Sequence, residues 1–223
     1  FHVDEWIHWS YTQAVINQGT TTFINPYTGI GTITSPQIGF HLITASFHWI
    51  TGSNLLTIFV FLPALLGLLL SLSAFLIGQR SLRPFGLEAA FLVAFIPTTV
   101  RYLGPSFYTP STLGLLLVLF LLWLVQQKTI QSIILLPVLI FCIFLIHPVM
   151  ALAGIGILLV YSLFLMLEKE YKQALLITAL TVLPMTLVAL VSTRWDTLID
   201  FFLTSLSGQP YPFAVSYTHL TLP

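Results

Sequence analysis

Asp4 and Glu5 stand side by side near the start of the chain, and His8 follows one helical turn later in the stretch FHVDEWIHWSY, which also carries Trp6, Trp9 and Tyr11. On a helix, Asp4 and His8 share a face at i and i+4. With His2 they offer the oxygen and nitrogen donors that hold zinc, although the spacing matches no zinc motif. A plainer use is also open. Asp4 suits the N-cap of a helix running from Glu5 to the neighbourhood of Gly19, and the tryptophans and tyrosine suit the headgroup level of a membrane. Further along, His41, Ala45 and His48 fall at i, i+4 and i+7, on one helical face. Arg101 could pair bidentately with a phosphate or anchor a helix by snorkelling to lipid headgroups. His147, just before Pro148, can donate to a phosphate or orient a carboxylate, or simply pack. Tyr102, Tyr108, Trp195 and Asp196 either line a groove around these groups or serve as aromatic belt and helix cap.

The elements that must position these residues are apolar. Hydrophobic residues make up 57% of the chain and charged residues 6%, with a mean hydropathy of +0.98. A soluble domain carries about 25% charged residues, so the composition predicts an integral membrane protein. Counted by their breaks, the apolar runs are residues 54–78, 87–100, 112–125, 130–146, 150–167 and 174–191. A bilayer asks for roughly 20 apolar residues per helix, and the second and third runs need flanking residues to cross. The runs are apolar all round rather than alternating, which excludes a β-barrel. The predicted fold is all-α: a polytopic transmembrane bundle of about six spans behind an external N-terminal loop with interfacial helices. Cys142 lies alone inside a span, where no disulfide is available and packing is the expected role.

Arg80, Arg83, Lys128, Lys169 and Lys172 fall in alternate loops. Cytoplasmic loops retain Lys and Arg, and with these inside, Asp4, Glu5, His8, His41, His48, Tyr108, His147, Trp195 and Asp196 all gather at the outer surface. The division by residue is then 1–53 for the first extracytoplasmic loop, 54–193 for the bundle and 194–214 for an external segment. In the loop, NPYTGIGTITSPQIG is turn-rich, and the segment from Phe40 to Gly52 is too short to cross and is predicted to lie along the membrane surface or dip into it. Glu88 follows Pro84 and Gly86 and suits the first turn of a helix. Residues 215–223, VSYTHLTLP, equal the translation of GTC TCT TAT ACA CAT CTG ACG CTG CCG, which resembles a transposon-end adapter of sequencing libraries. Tyr217 and His219 are therefore set aside, and the chain is expected to be a fragment, with a further span ahead of Phe1.

The order of an acidic pair, an aromatic helix, the GFHLITASFHWITG juxtamembrane segment and then NLLTIFVFLPALLGLLLSLSAFLIGQRSL ending in a basic loop resembles the GT-C superfamily. These are integral membrane glycosyltransferases, such as protein O-mannosyltransferases, aminoarabinose transferases and the oligosaccharyltransferase catalytic subunit. The resemblance is one of layout over about residues 1–190. In place of the HPP-like element of one branch stands SPQIGFH, and no external carboxylate before Asp196 supplies a second acidic motif.

The resemblance implies an inverting transferase that takes a sugar from a polyprenyl phosphate at the extracytoplasmic side of the cell membrane. It assigns Asp4, with Glu5 as alternate, to the catalytic base or to a divalent cation, Mg or Mn, that neutralises the leaving phosphate. Neighbours on a helix point about 100° apart, so one of the two acids is expected to be central. Arg101, His147, His41, His8, Tyr102 and Tyr108 are the phosphate- and substrate-binding candidates. The expected partners are membrane lipid, the polyprenyl-linked sugar and an acceptor, with no nucleic acid. Two other readings remain open: a transporter or lipid flippase, for which internal repeats and midplane acids would be expected, and a non-catalytic subunit on the same scaffold.

Overall fold

The computed structural model describes residues 3–81, 85–95 and 107–191. The chain divides into two compact units, Phe1–Pro184 and Met185–Pro223. In the second, the described part is the end of one helix, and the account below concerns the first.

Helix α1 (Val3–Gln18) leads into a hairpin of β1 (Thr22–Ile24) and β2 (Thr32–Thr34), then α2 (Ile38–Thr51) and α3 (Leu55–Ser81). Next come α4 (Gly86–Ala94), α5 (Pro110–Gln126), α6 (Ile130–Ile134), α7 (Leu136–Ile146), α8 (Pro148–Leu167) and α9 (Tyr171–Val191). The helical architecture agrees with the all-α expectation. The hairpin was not expected: Thr22 pairs Thr34 and Ile24 pairs Thr32 in antiparallel register. Its β-branched threonines favour extended backbone, and Gly29 and Gly31, at φ 67° and 74°, supply the left-handed residues of the connection.

Local chemistry sets the helix ends. Gly19 and Gly52 close α1 and α2 in the left-handed region, with Gly52 N–H donating to the His48 carbonyl at 2.9 Å. Thr109 caps α5 by accepting from Thr112 N–H, with Pro110 in the first turn. Asp4 lies inside the first turn of α1 rather than ahead of it, where a carboxylate still meets the positive end of the helix dipole. Glu88 stands in the first turn of α4 in the same way.

Small residues let the long helices approach. A Cβ on Gly78 would meet Ala89 Cβ at 3.0 Å and Phe85 O at 3.1 Å, which brings α3 against α4. Gly114 sits against Met150 and His147 in the same fashion, joining α5 to α8. Between α8 and α9 the Ser162 hydroxyl bonds the Ala174 carbonyl and Thr178 Oγ1, each at 2.7 Å. Leu121, Leu136, Ile140, Leu158 and Ile177 form the main core of these helices, fully or almost fully buried.

Among the described residues, two helices, Leu55–Arg80 within α3 and Pro148–Leu167, are long and apolar enough to cross a membrane. Only 28% of each apolar window is buried, whereas the core helix of a soluble protein is mostly buried. Phe61, Leu68, Leu163 and Phe164 face outward. Cys142 is also exposed, on α7, so the expected packing role inside the protein does not hold. The helical hydrophobic pattern placed it in a span but did not say which way it faced.

The turns sort to two ends. Arg80 at the end of α3 donates to Gln127 Oε1 at 2.9 Å, and Lys128 pairs with Glu170 at 3.0 Å. The start of α3, the start of α5 and the α7–α8 turn lie together at the other end, around a core of Phe40, Leu55, Phe59, Tyr108 and Ile146. Helices α1 and α2 cover that second end.

Candidate functional site

The covering layer is held on by close contact. A Cβ on Gly39 would lie 2.9 Å from the backbone carbon and oxygen of Leu145, so the first turn of α2 rests directly on the end of α7. The face of α2 that turns inward carries Phe40, His41, Thr44 and Ala45, all buried. Its outward residues include Leu42, Ile43, Phe47, Trp49 and Ile50, all large and apolar. The helix thus buries His41 and Thr44 beside Phe40 and Ala45 and leaves large apolar side chains outward, where a soluble amphipathic helix would carry polar ones.

Tyr108 is the peg of this layer. It is 2% exposed, and its ring packs on Phe40 at 4.7 Å and edge-on to Phe59 at 5.0 Å between centroids. Its N–H donates to Glu5 Oε1 at 2.9 Å. The Thr44 hydroxyl hydrogen goes to the Phe40 carbonyl, so Tyr108 must be the donor in the 2.8 Å contact of its hydroxyl with Thr44 Oγ1. Burial pushes the phenol up to about 12, against the smaller opposing effect of the Thr44 bond. Tyr108 therefore joins α1, α2 and α3 from inside; the sequence had left it open between lining a groove and serving as aromatic belt or helix cap.

His41 is fully buried, and the network around it defines its tautomer. Thr12 gives its hydroxyl hydrogen to the His8 carbonyl, so it accepts from His41 Nδ1–H at 3.0 Å. Ser35 Oγ accepts from Gln37 N–H and gives its own hydrogen to His41 Nε2 at 3.0 Å. Burial lowers this imidazole to about 3. Both ring nitrogens are used, and a neutral His41 clamps α1, the hairpin exit and α2 together. That is a positioning role, and it leaves the ring no donor for a phosphate.

His8 differs. Its ring lies edge-on to Phe40 at 5.3 Å and beside His41 at 5.4 Å. Its Nδ1 is buried with no hydrogen-bond partner among the described residues. Burial holds the imidazole well below its ordinary range, and the neighbouring His41 and His147 push the same way. His147 ends α7 and caps α8, its Nδ1 accepting Met150 N–H at 3.2 Å. The proton of the neutral ring is then on Nε2, which is a donor.

The two acids separate as well. Glu5 is 4% exposed and bonded across to Tyr108, so it serves the layer's construction. Asp4 is half-buried one turn before His8. Asp4, Glu5, His8, His41, Tyr108 and His147 thus belong to one end of the molecule. Arg101 and Tyr102, with His2, Trp195 and Asp196, lie outside the described residues. Among the described residues, no group of three His, Cys, Asp or Glu side chains gathers to hold a metal ion. The partners that sequence reading missed are hydroxyls: Thr12, Ser35 and Thr44. Of these, Thr44 was within reach, because Phe40, His41, Thr44, Ala45 and His48 form a single stripe on α2.

No protein-family model matches this chain, and neither does any curated protein or solved structure.

Proposed function

We propose that the chain is a GT-C-like membrane glycosyltransferase of about six spans, which moves a sugar from a polyprenyl phosphate to an acceptor at the outer face of the cell membrane. One observation carries this reading: ionisable and hydroxyl groups are buried at one end, above helices whose outward surfaces are apolar. Basic residues in the turns at the opposite end favour the cytoplasmic side for that end by the positive-inside rule. The outward apolar face of α2 suits the headgroup boundary. A transporter would keep its ionisable groups nearer the midplane.

In this reading Asp4 is the general base. It takes the proton of the acceptor hydroxyl as that oxygen bonds to the anomeric carbon from the side opposite the phosphate. The bond from the anomeric carbon to the phosphate oxygen breaks, its electron pair leaves with the polyprenyl phosphate, and the sugar is inverted. His147 Nε2–H donates to the phosphate, and His8 stands beside it as the second imidazole. A divalent cation would neutralise the leaving group. The described side chains do not by themselves assemble a ligand set for it.

The test is release of polyprenyl phosphate from a polyprenyl-phosphate sugar by membranes containing the protein. Asp4→Asn is expected to lower it by about 100-fold or more while the protein still folds. Near-normal release by that variant would remove Asp4 from the chemistry, and a folded wild type that releases none would favour the non-catalytic subunit.

A further inference from the structure

Helix α1 uses one face, Glu5, Thr12 and Val15, to join the buried layer. Its other face borders an open groove of about 460 Å³ between α1 and the hairpin loop, within the roughly 300–1,000 Å³ typical of ligand clefts. Among the described residues, none that lines it is charged. We infer that this groove binds a neutral saccharide, with Gln13, Asn17, Gln18 and Asn25 as hydrogen-bonding groups and Trp9 as the aromatic surface.

The amides are already oriented. Gln13 Nε2 donates to Asn17 Oδ1 at 2.9 Å, Gln18 Oε1 accepts Ile24 N–H at 3.1 Å, and Asn25 Oδ1 accepts Tyr27 N–H at 2.9 Å. Each bond commits one end of an amide and leaves the other. Among the described residues, Gln13 Oε1 remains as an acceptor, and the amide nitrogens of Asn17, Gln18 and Asn25 remain as donors. Sugar hydroxyls donate and accept at once and so answer a mixed set of this kind, while the C–H face of a pyranose lies well on an indole.

Other ligand classes fit less well. A phosphate or carboxylate finds no cation in the lining. A peptide strand would add to the edge of β1, but the Ile24 N–H is already taken by Gln18. The groove needs no transfer chemistry, so this inference goes beyond the proposed activity and does not depend on it.

The experiment titrates the full chain, in a detergent without a sugar headgroup, with chitobiose, maltotriose and a neutral Gly-Ser peptide, and follows binding by calorimetry. Saturable binding of at least one saccharide is expected, at least about tenfold weaker in the Gln13→Ala/Asn17→Ala variant and unchanged in Asp4→Asn. Both substituted residues are outside the core, and the circular dichroism of the variant checks that it still folds. Asn17→Ala alone, expected to weaken binding about threefold, serves if the pair does not fold. Absence of saccharide binding, binding of the peptide alone, or saccharide binding that is lost in Asp4→Asn or survives the groove substitutions would each overturn the assignment.

Discussion

The two ends of the helical assembly are both polar, yet they are built on opposite terms. At the end covered by α1 and α2, Glu5, His41, Thr44 and Tyr108 are buried and bonded across long sequence separations; the Tyr108–Glu5 bond spans 103 positions. At the other end, the Lys128–Glu170 pair is 45% and 40% exposed, and Lys128 and Lys169 adopt left-handed backbone at φ 56° and 66° to make the turns. Water can replace what the second end loses, and cannot easily replace what the first end loses. Burial, not the number of polar contacts, decides which end holds its geometry tightly enough for chemistry.

Gly39→Val should break the contrast most strongly. The added side chain meets Leu145 backbone, which cannot swing aside, and a cost of about 1–3 kcal/mol or more is expected. In a thermal melt of the purified protein, the α1–α2 layer should come loose before the helices do. Glu5→Ala comes next. It strips the Tyr108 amide of its carboxylate acceptor inside the layer and should cost about 1–3 kcal/mol, with a lower melting temperature as the readout.

Acidity should separate the two ends by sign. The His8 and His41 imidazoles are depressed in the folded chain, His41 to about 3. The unfolded chain therefore takes up protons first, near the ordinary value of about 6.5. Their contribution to stability is full above that value and is lost progressively as pH falls toward 3. Lys128 is raised by its bond to Glu170, so its smaller contribution is present below the ordinary value of about 10.4 and is lost as pH rises through its folded value. Melting temperatures taken across the acid range should fall, and His8→Leu should flatten that fall. An acid-insensitive melt would show that the imidazoles are not buried as described. The smallest effect belongs to Glu170→Gln, about 1 kcal/mol or less and weaker still at high salt.

Much of the helical layout was legible because apolar composition marks it directly. The run read as 54–78 is the helix Leu55–Ser81, and the break at His147 and Pro148 is a real helix boundary. The acidic pair was visible too, but not the division of labour within it. Which acid turns inward depends on how α1 is rotated against Tyr108, and no local pattern near Asp4 carries that information. His41 looked like a candidate donor by spacing on α2. Its occupation by Thr12 and Ser35 is tertiary, and each partner is an ordinary hydroxyl residue that no motif marks. The hairpin was missed because threonine-rich strands of three residues are shorter than the runs that periodicity can detect.

The measurement that bears most directly on the whole account is the sidedness of the two ends. In a Cys142→Ala background, Asn25→Cys places a thiol by the covering layer and Gln127→Cys places one among the basic turns; each is treated with a membrane-impermeant maleimide in intact cells and again after lysis. The expected result is that Asn25→Cys reacts in intact cells and Gln127→Cys reacts only after lysis. Labelling in the reverse pattern, or of both positions from the same side, would contradict an outward-facing site above a membrane-embedded bundle.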